Sequence, residues 1–289
     1  MTRHFFISVL LGALALSAEA KTVRLLTVGN SFTRNATQYL PDLAKAGGQT
    51  LIFRPLIVGG TSLQFHIEKA LTNGLYTTGH SLKQELESEK WDYVTIQQVS
   101  MKSHDIATYR PFAEQLRDYI KKYAPGATLL VHETWEYRCD DPRFAVKSPE
   151  PGEPATQQAM YDGLANAYRT IAAELGAHII PVGDAFHMAD TDPQWSYRPD
   201  TKFDFKNAKP PALPKQTHSL HMGWRWTKGK LGMDGHHASV AGQYLGACVF
   251  YEVLFGESVV GNKFAPPGLD PAYAQFLQET AHRAIMAGK

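Results

Sequence analysis

Short apolar runs alternate with amphipathic segments along most of the chain. Runs rich in β-branched and aliphatic residues are typical of buried strands, whereas apolar positions three and four residues apart indicate helices. The predicted strands cover residues 23–29, 51–58, 93–97, 128–132 and 178–182. The predicted helices cover residues 36–46, 62–71, 82–88, 109–123, 157–175, 239–255 and 271–287.

This alternation predicts the fold class. Strands that are separated by helical segments of this length form right-handed βαβ crossovers, and the resulting parallel sheet is covered on both faces. We therefore expect an α/β fold, a flavodoxin-like three-layer αβα sandwich with about five parallel strands. The chain of 289 residues is long enough for one large domain, which we place at residues 21–289.

Two stretches interrupt the pattern. Residues 133–154 contain several aromatic residues and prolines, and residues 189–233 are rich in Pro, Trp, His and Lys. Loops this long in a compact domain are usually functional or disordered, and the abundance of aromatic residues argues against disorder. We interpret the aromatic-rich loop at 189–233 as a lid or wall over a ligand crevice. The alternative is a satellite cluster that covers an edge of the sheet.

The N-terminus has the features of a secretory signal peptide. Arg3 precedes an apolar run at residues 5–16, and small residues at Ala18 and Ala20 suit a cleavage site. A membrane anchor is less favoured, because the apolar run is shorter than the roughly 20 residues that a span needs. We expect residues 1–20 to be removed and the mature protein to be periplasmic or secreted, with no membrane span.

Charge and cysteine content restrict the partners. The chain has 29 Lys and Arg residues against 28 Asp and Glu, so no broad charged surface indicates a nucleic acid or an anionic membrane. A small or neutral molecule is the expected partner. Cys139 and Cys248 could form a disulfide in an oxidising compartment or remain buried thiols, and neither is assigned a catalytic role.

The first predicted strand leads to a candidate nucleophile. It ends at Gly29, and Asn30 and Ser31 follow directly. Open α/β sheets bind ligands beyond the carboxyl ends of their strands, where the strand order reverses. Ser31 is therefore a candidate nucleophile. The alternative is that Ser31 only caps the next helix, because Asn, Ser and Thr are common N-cap residues.

A second motif could activate this serine. Asp234 precedes His237 by three residues, so its carboxylate can orient the imidazole and leave Nε2 free to face Ser31. Asp234, His236 and His237 could instead bind zinc or iron. Adjacent histidines seldom converge on one ion, so we predict neither a metal nor a cofactor.

These motifs resemble those of the SGNH (GDSL-type) hydrolases. The sequence Gly-Asn-Ser-Phe at 29–32 is similar to the nucleophile block of that family, with Asn where Asp is usual. The sequence Asp-Gly-His-His at 234–237, followed by Gly-Gln-Tyr at 242–244, is similar to the C-terminal Asp-x-x-His block. The resemblance covers residues 23–255 and implies a serine hydrolase that needs no cofactor.

The resemblance also implies an oxyanion hole formed by three donors. The first is the backbone amide of Ser31, and the second comes from a glycine block at 58–62, where we choose Gly60. The third is usually an Asn side chain, but here the third strand ends in Gln97 and Gln98. Some uncharacterised branches of the family carry such a Gln. We prefer Gln97, because strand alternation directs only one of the two towards the crevice.

Five further residues are candidates for substrate binding. His66 lies one helical turn beyond the glycine block, Trp135, Tyr137 and Arg138 follow the fourth strand, and Trp226 lies in the aromatic-rich loop. Aromatic faces beside a guanidinium group suit a sugar ring that bears hydroxyls or a carboxylate. Structural roles in packing or in a salt bridge are the alternatives.

The sequence therefore predicts a secreted or periplasmic serine esterase. In this hypothesis Ser31 attacks a small acyl or methyl ester, His237 transfers the proton, and Asp234 orients His237. A carbohydrate as carrier of the ester follows from the resemblance, the predicted export and the aromatic-rich loop. The alternatives are a lipase or thioesterase of the same fold and a non-catalytic carbohydrate-binding protein.

Overall fold

A five-stranded parallel sheet forms the centre of the protein. The computed structural model describes residues 20–146 and 152–288, and the strand order is β2-β1-β3-β4-β5 with parallel pairing throughout. The strands are β1 (Thr22–Gly29), β2 (Thr50–Ile57), β3 (Tyr93–Ile96), β4 (Thr128–His132) and β5 (His178–Ile180). The predicted flavodoxin-like fold is confirmed. The strand order reverses at β1, so the crevice between the ends of β1 and β3 is the ligand position expected for this topology.

Helices cover both faces of the sheet. One group consists of α3 (Leu63–Leu71), α4 (Leu82–Glu87), α5 (Phe112–Tyr123) and α6 (Gln157–Leu175). The other group consists of α1 (Ser31–Ala36), α2 (Leu40–Ala46), α7 (Val182–Asp190), α8 (Val240–Phe255) and α9 (Pro271–Ala287). Almost every side chain of α8 is buried, because this helix is apolar on all sides and packs against several other elements.

The structure differs from the predicted elements in two places near the sheet. The helix predicted at 36–46 begins only at Leu40, as α2, and a separate short helix, α1, precedes it at residues 31–36. The segment after β5 forms α7, which the sequence analysis assigned partly to a strand and partly to a loop. Buried residues at Val182, Ala185, Phe186 and Ala189 follow a helical period, and the preceding apolar run obscured this pattern.

The aromatic-rich stretch at 189–233 is also more regular than predicted. Its last part enters an antiparallel hairpin of β6 (His221–Thr227) and β7 (Lys230–Ala238). Lys228 and Gly229 form the turn and both have positive φ angles, 50° and 76°, as a tight two-residue hairpin loop requires. Earlier in the stretch, Trp195 stacks on Tyr273 and Phe276 of α9.

Cys139 is exposed and Cys248 is buried, and both are free thiols in this structure. Of the predicted signal peptide, residues 1–19 lie outside the described residues, so this assignment stays a prediction. Within residues 20–146 and 152–288, no helix is both long enough and apolar enough to span a bilayer.

Candidate active site

The end of β1 places Ser31 at the start of α1. Gly29 is required here, because a side chain at this position would collide with Thr33. Asn30 is the N-cap of α1, and its Oδ1 accepts a hydrogen bond of 3.0 Å from the Phe32 amide. Asn30 Nδ2 donates to the carbonyl of Thr61 at 2.9 Å. Asn30 therefore takes the capping role considered for Ser31, and Ser31 is the first helical residue.

The side chains of Ser31, His237 and Asp234 meet at this point. His237 Nε2 lies 2.9 Å from Ser31 Oγ. On the other side of the ring, His237 Nδ1 lies 3.2 Å and 3.1 Å from the two carboxylate oxygens of Asp234. The His237 backbone amide also donates to Asp234 Oδ1 at 3.1 Å. The imidazole is thus held between a carboxylate and a hydroxyl.

The charge of Asp234 determines which tautomer of the His237 imidazole is favoured. Burial alone would raise the pKa of Asp234, but hydrogen bonds from the side chain and backbone of His237 lower it well below its ordinary value. The carboxylate is therefore ionised at neutral pH and favours the His237 tautomer with its proton on Nδ1. That tautomer directs the lone pair of Nε2 at the Ser31 hydroxyl, as a general base requires.

The first turn of α1 leaves one backbone donor available. Helix N-termini have amides without intrahelical partners, but the Phe32 amide is bound by Asn30 and the Thr33 amide donates to Gln97 Oε1 at 3.0 Å. Among the described residues, no acceptor is recorded for the Ser31 amide or for the Gly60 amide. Gly60 has a φ angle of 69°, which favours glycine.

A cavity of about 430 Å³ connects these groups. Its wall includes Ser31, Gly60, Ser100, Tyr137, Arg143 and His237. Ser31, His237 and Gly60 therefore border one space at the carboxyl edge of the sheet.

Comparison with known families identifies the relatives of this chain. The family described as "Domain of unknown function (DUF4886)" matches residues 24–195, which is more than half of the sequence. The chain belongs to the DUF4886 family. A search of the curated proteins finds no match.

Two solved structures place this DUF4886 protein among known folds. A DUF4886 family protein from Bacteroides uniformis ATCC 8492 is 27% identical, with a TM-score of 0.71 over 92% of this chain and 95% of the other. A protein from Slackia heliotrinireducens that is assigned to the SGNH hydrolases is 24% identical, with a TM-score of 0.52 over 80% of this chain and 98% of the other. The second likeness shows that this DUF4886 protein has the SGNH hydrolase fold.

The predicted oxyanion role of Gln97 or Gln98 is not supported by their positions. Gln97 Oε1 accepts hydrogen bonds from the amide and the hydroxyl of Thr33, at 3.0 Å and 2.7 Å. Gln98 Oε1 accepts from the Leu63 amide at 3.2 Å, and its Nε2 donates to the Thr108 carbonyl at 2.8 Å. Backbone groups hold both side chains in the interior, so neither lines the cavity. We therefore correct this assignment and give Gln97 the role of anchoring α1.

His66 and Trp135 are buried and lie behind the site. His66 contacts Thr61 Oγ1 through Nε2 at 3.1 Å and the Tyr76 hydroxyl through Nδ1 at 2.9 Å, and burial lowers its pKa to about 4. Trp135 is stacked between two phenylalanine rings and donates from Nε1 to the His236 carbonyl at 2.9 Å. Their predicted contact with substrate is wrong, because neither side chain reaches the cavity.

Arg138 and Trp226 also have structural roles in this DUF4886 protein. Arg138 is fully buried and binds the Asp140 carboxylate and Gln216 Oε1, at 2.6 Å and 2.9 Å. Trp226 lies on β6 and donates to the Ala212 carbonyl at 2.8 Å. No described residue of 189–233 lines the cavity. The interpretation of that stretch as a lid or wall over the crevice is therefore wrong, and Trp195 of that stretch packs on α9 instead.

Tyr137 does line the cavity, together with an arginine that the sequence analysis missed. The Tyr137 hydroxyl lies 3.0 Å from Ser100 Oγ. The guanidinium of Arg143 lies 3.7 Å from the centre of the Tyr137 ring and binds the Asp141 carboxylate at 2.8 Å and 2.9 Å. The break in the pattern of strands and helices at 133–154 indicated a functional loop. It gave no reason to choose Arg143 over Arg138 as the arginine that lines the cavity.

The metal alternative is less compatible with this geometry. Asp234, His236 and His237 do offer ligand atoms within 4.8 Å of one another. However, the two ring nitrogens of His237 already face Asp234 and Ser31. Arg143 Nη2 lies 3.2 Å from His236 Nδ1, and this cation would repel a metal ion. His237 therefore bridges Asp234 and Ser31 and has no ring nitrogen left for a metal ion.

Proposed function

We propose that this protein is a serine hydrolase of carboxylic esters. The observation that carries the proposal is the placement of His237, whose Nε2 is 2.9 Å from Ser31 Oγ while Nδ1 faces the ionised Asp234. A hydroxyl becomes an effective nucleophile when a base is within hydrogen-bond reach and a third group orients that base.

The geometry supports a two-step reaction. Ser31 Oγ attacks the ester carbonyl, and His237 Nε2 takes the hydroxyl proton and later gives it to the departing alcohol. Water then hydrolyses the acyl-enzyme, with His237 again acting as the base. Asp234 stabilises the imidazolium that forms in each step.

The developing oxyanion is stabilised by the backbone amides of Ser31 and Gly60 in this proposal. Both belong to the wall of the cavity, and two backbone N–H groups form the oxyanion hole of other serine hydrolases. A side-chain amide from Gln97 or Gln98 is therefore not required.

The alcohol part of the ester is proposed to be a carbohydrate. One wall residue supports this choice: the guanidinium of Arg143 offers hydrogen-bond donors to the cavity. Such donors suit a ring with several hydroxyl groups. The predicted signal peptide at 1–20 would bring such an enzyme to extracellular or periplasmic saccharides.

Hydrolysis of p-nitrophenyl acetate by the purified protein tests the proposal. Ser31→Ala and His237→Ala are each expected to lower kcat by about three orders of magnitude or more. Ser258→Ala is the matched control, because Ser258 is an exposed serine that also lies near a histidine, at 3.4 Å from His282 Nδ1. Circular dichroism verifies that each variant is folded.

Two results would contradict the proposal. Unchanged turnover in Ser31→Ala would exclude Ser31 as the nucleophile. Binding of acetylated oligosaccharides by the wild-type protein without turnover of any ester would identify the non-catalytic carbohydrate-binding alternative.

A further inference from the structure

A second cavity lies beside the one that contains Ser31. Its volume is about 370 Å³. Most of its wall is apolar and comes from the segments around Met101 and Val146 and from the start of α6. The apolar residues of the wall are Met101, Tyr137, Phe144, Val146, Pro154 and Met160. We refer to this space as the apolar chamber.

The apolar chamber adjoins the nucleophile cavity. Met101, Tyr137 and Arg143 line both spaces. A molecule whose ester carbonyl is at Ser31 can therefore extend past these three side chains into the chamber.

The arginine of the chamber wall already has a partner. Arg143 is paired with the Asp141 carboxylate at 2.8 Å. His104 Nε2 lies 3.8 Å from Glu153 Oε1, whereas His104 Nδ1 has no hydrogen-bond partner among the described residues. The pairing of Arg143 leaves little demand for an anionic group. At the same time, Met101 and Val146 keep 60% and 53% of their surface exposed, so apolar area remains available for burial.

We propose that the apolar chamber binds the acyl chain of the ester, with about twelve carbons as the upper limit of length. This inference rests on the proposed function. A methylene group occupies about the same volume as a water molecule, roughly 30 Å³, so the chamber of about 370 Å³ holds a chain of about twelve carbons. The sequence analysis predicted a small acyl group, and the inference revises that size.

The acyl part of the ester is a better occupant of the apolar chamber than the alcohol part, for a kinetic reason. It stays attached to Ser31 through both steps of the reaction, whereas the alcohol leaves after the first step. Contacts in the chamber can therefore stabilise both transition states only if the acyl chain occupies it. Each additional buried methylene is expected to increase kcat/KM roughly threefold to fourfold.

A series of p-nitrophenyl esters from acetate to hexadecanoate tests this inference. We expect kcat/KM to increase at least about thirtyfold from acetate to hexanoate or octanoate, and to fall for hexadecanoate, whose chain exceeds the volume of the chamber. A second series keeps the acetyl group and lengthens the alcohol from ethanol to octanol. A flat acyl series, a maximum at acetate or a length preference only in the alcohol series would overturn the inference.

Substitutions at the chamber give an independent test. Val146→Trp adds bulk at an exposed position that lines only the chamber, and Val146→Asp adds charge there instead. Each is expected to lower the ratio of octanoate to acetate kcat/KM at least tenfold. Val260→Trp is the matched control, because Val260 is a comparably exposed valine that belongs to neither cavity. An unchanged ratio in both Val146 variants would overturn the inference.

The two proposals can fail separately. Acetate turnover that depends on Ser31, with no response to acyl length or to the Val146 variants, would retain the esterase and reject the chamber as its acyl site. Turnover that persists in Ser31→Ala, or its absence for every ester, would reject both.

Discussion

Two sets of serine, histidine and carboxylate side chains among the described residues differ in how the histidine meets its partners. In the first set, His237 faces Ser31 through Nε2 and Asp234 through Nδ1. In the second set, His282 uses Nδ1 towards both partners, at 2.7 Å from Glu252 Oε1 and 3.4 Å from Ser258 Oγ. One nitrogen cannot hold its proton for the carboxylate and accept another from the hydroxyl, so the second set cannot relay a proton.

The surroundings of Ser31 and Ser258 also differ. Ser31 lies in a cavity with free backbone amides near its hydroxyl, whereas Ser258 is exposed and its hydroxyl accepts from the Val260 amide at 3.3 Å. The comparison shows that a serine, a histidine and a carboxylate do not by themselves define the site. What distinguishes the first set is that His237 faces each partner through a different ring nitrogen, and that backbone amides without acceptors among the described residues belong to the wall of the cavity.

The largest expected effect that separates the two sets comes from their carboxylates. Asp234→Asn should lower kcat by about three to four orders of magnitude, because the amide favours the wrong tautomer of His237 and cannot stabilise the imidazolium. Glu252→Gln is the matched change in the second set and should leave kcat within about twofold. Steady-state kinetics of both variants is the measurement, and comparable losses would contradict the contrast drawn between the sets.

A second test concerns how Asp234, the carboxylate of the first set, makes the stability of the protein depend on pH. The folded-state pKa of Asp234 is lower than its ordinary value of about 4, so its ionised form stabilises the native state. This contribution is complete above the unfolded-state pKa and is lost as the pH falls through the folded-state value. The difference in unfolding free energy between wild type and Asp234→Asn should therefore be constant from pH 7 to pH 5 and decrease below pH 4.

Urea denaturation at several pH values measures this difference. Ser31→Ala serves as the control, because it removes a group from the same site without removing a carboxylate. A difference that stays constant as the pH falls below 4 would show that the pKa of Asp234 is not depressed.

The smallest expected effect on catalysis comes from the residue behind Ser31. Gln97→Leu removes the acceptor of the Thr33 amide and hydroxyl, which should destabilise the protein by about 1–3 kcal/mol. Because Gln97 does not line the cavity, kcat should fall less than about tenfold. Loss of an oxyanion donor would lower kcat by about 10²–10³. A loss of that size with unchanged stability would restore the role first predicted for Gln97.

Much of the fold could be predicted because local patterns specify it. The buried strands have continuous apolar runs, and a glycine ends the first of them next to Ser31. Asp234 and His237 are also a local signal, because they lie only three positions apart in the sequence and their side chains meet. These signals needed no knowledge of distant contacts.

The remaining site residues depend on contacts between distant parts of the chain. Trp135 and Arg138 have the side chains expected of a sugar-binding wall, yet both are buried. Arg138 binds Gln216, which lies 78 positions away, and sequence spacing alone cannot reveal such a partner. Gln97 illustrates the same limit, because its Nε2 is able to donate to an oxyanion but instead donates to the Gln98 carbonyl at 2.6 Å, while its Oε1 accepts from the Thr33 amide of α1.

His237 and Asp234 of the first set both lie on β7, which belongs to the hairpin and not to the central sheet. Three long-range hydrogen bonds of backbone groups fasten this strand to the body of the protein. They join Arg138 N to the Gly235 carbonyl, Trp135 Nε1 to the His236 carbonyl and Ala238 N to Asn35 Oδ1. Proteins open locally in cooperative units at free energies below that of global unfolding. Detachment of the hairpin alone would separate His237 from Ser31 while the sheet stays folded, so the proposed activity would report on the docking of this hairpin.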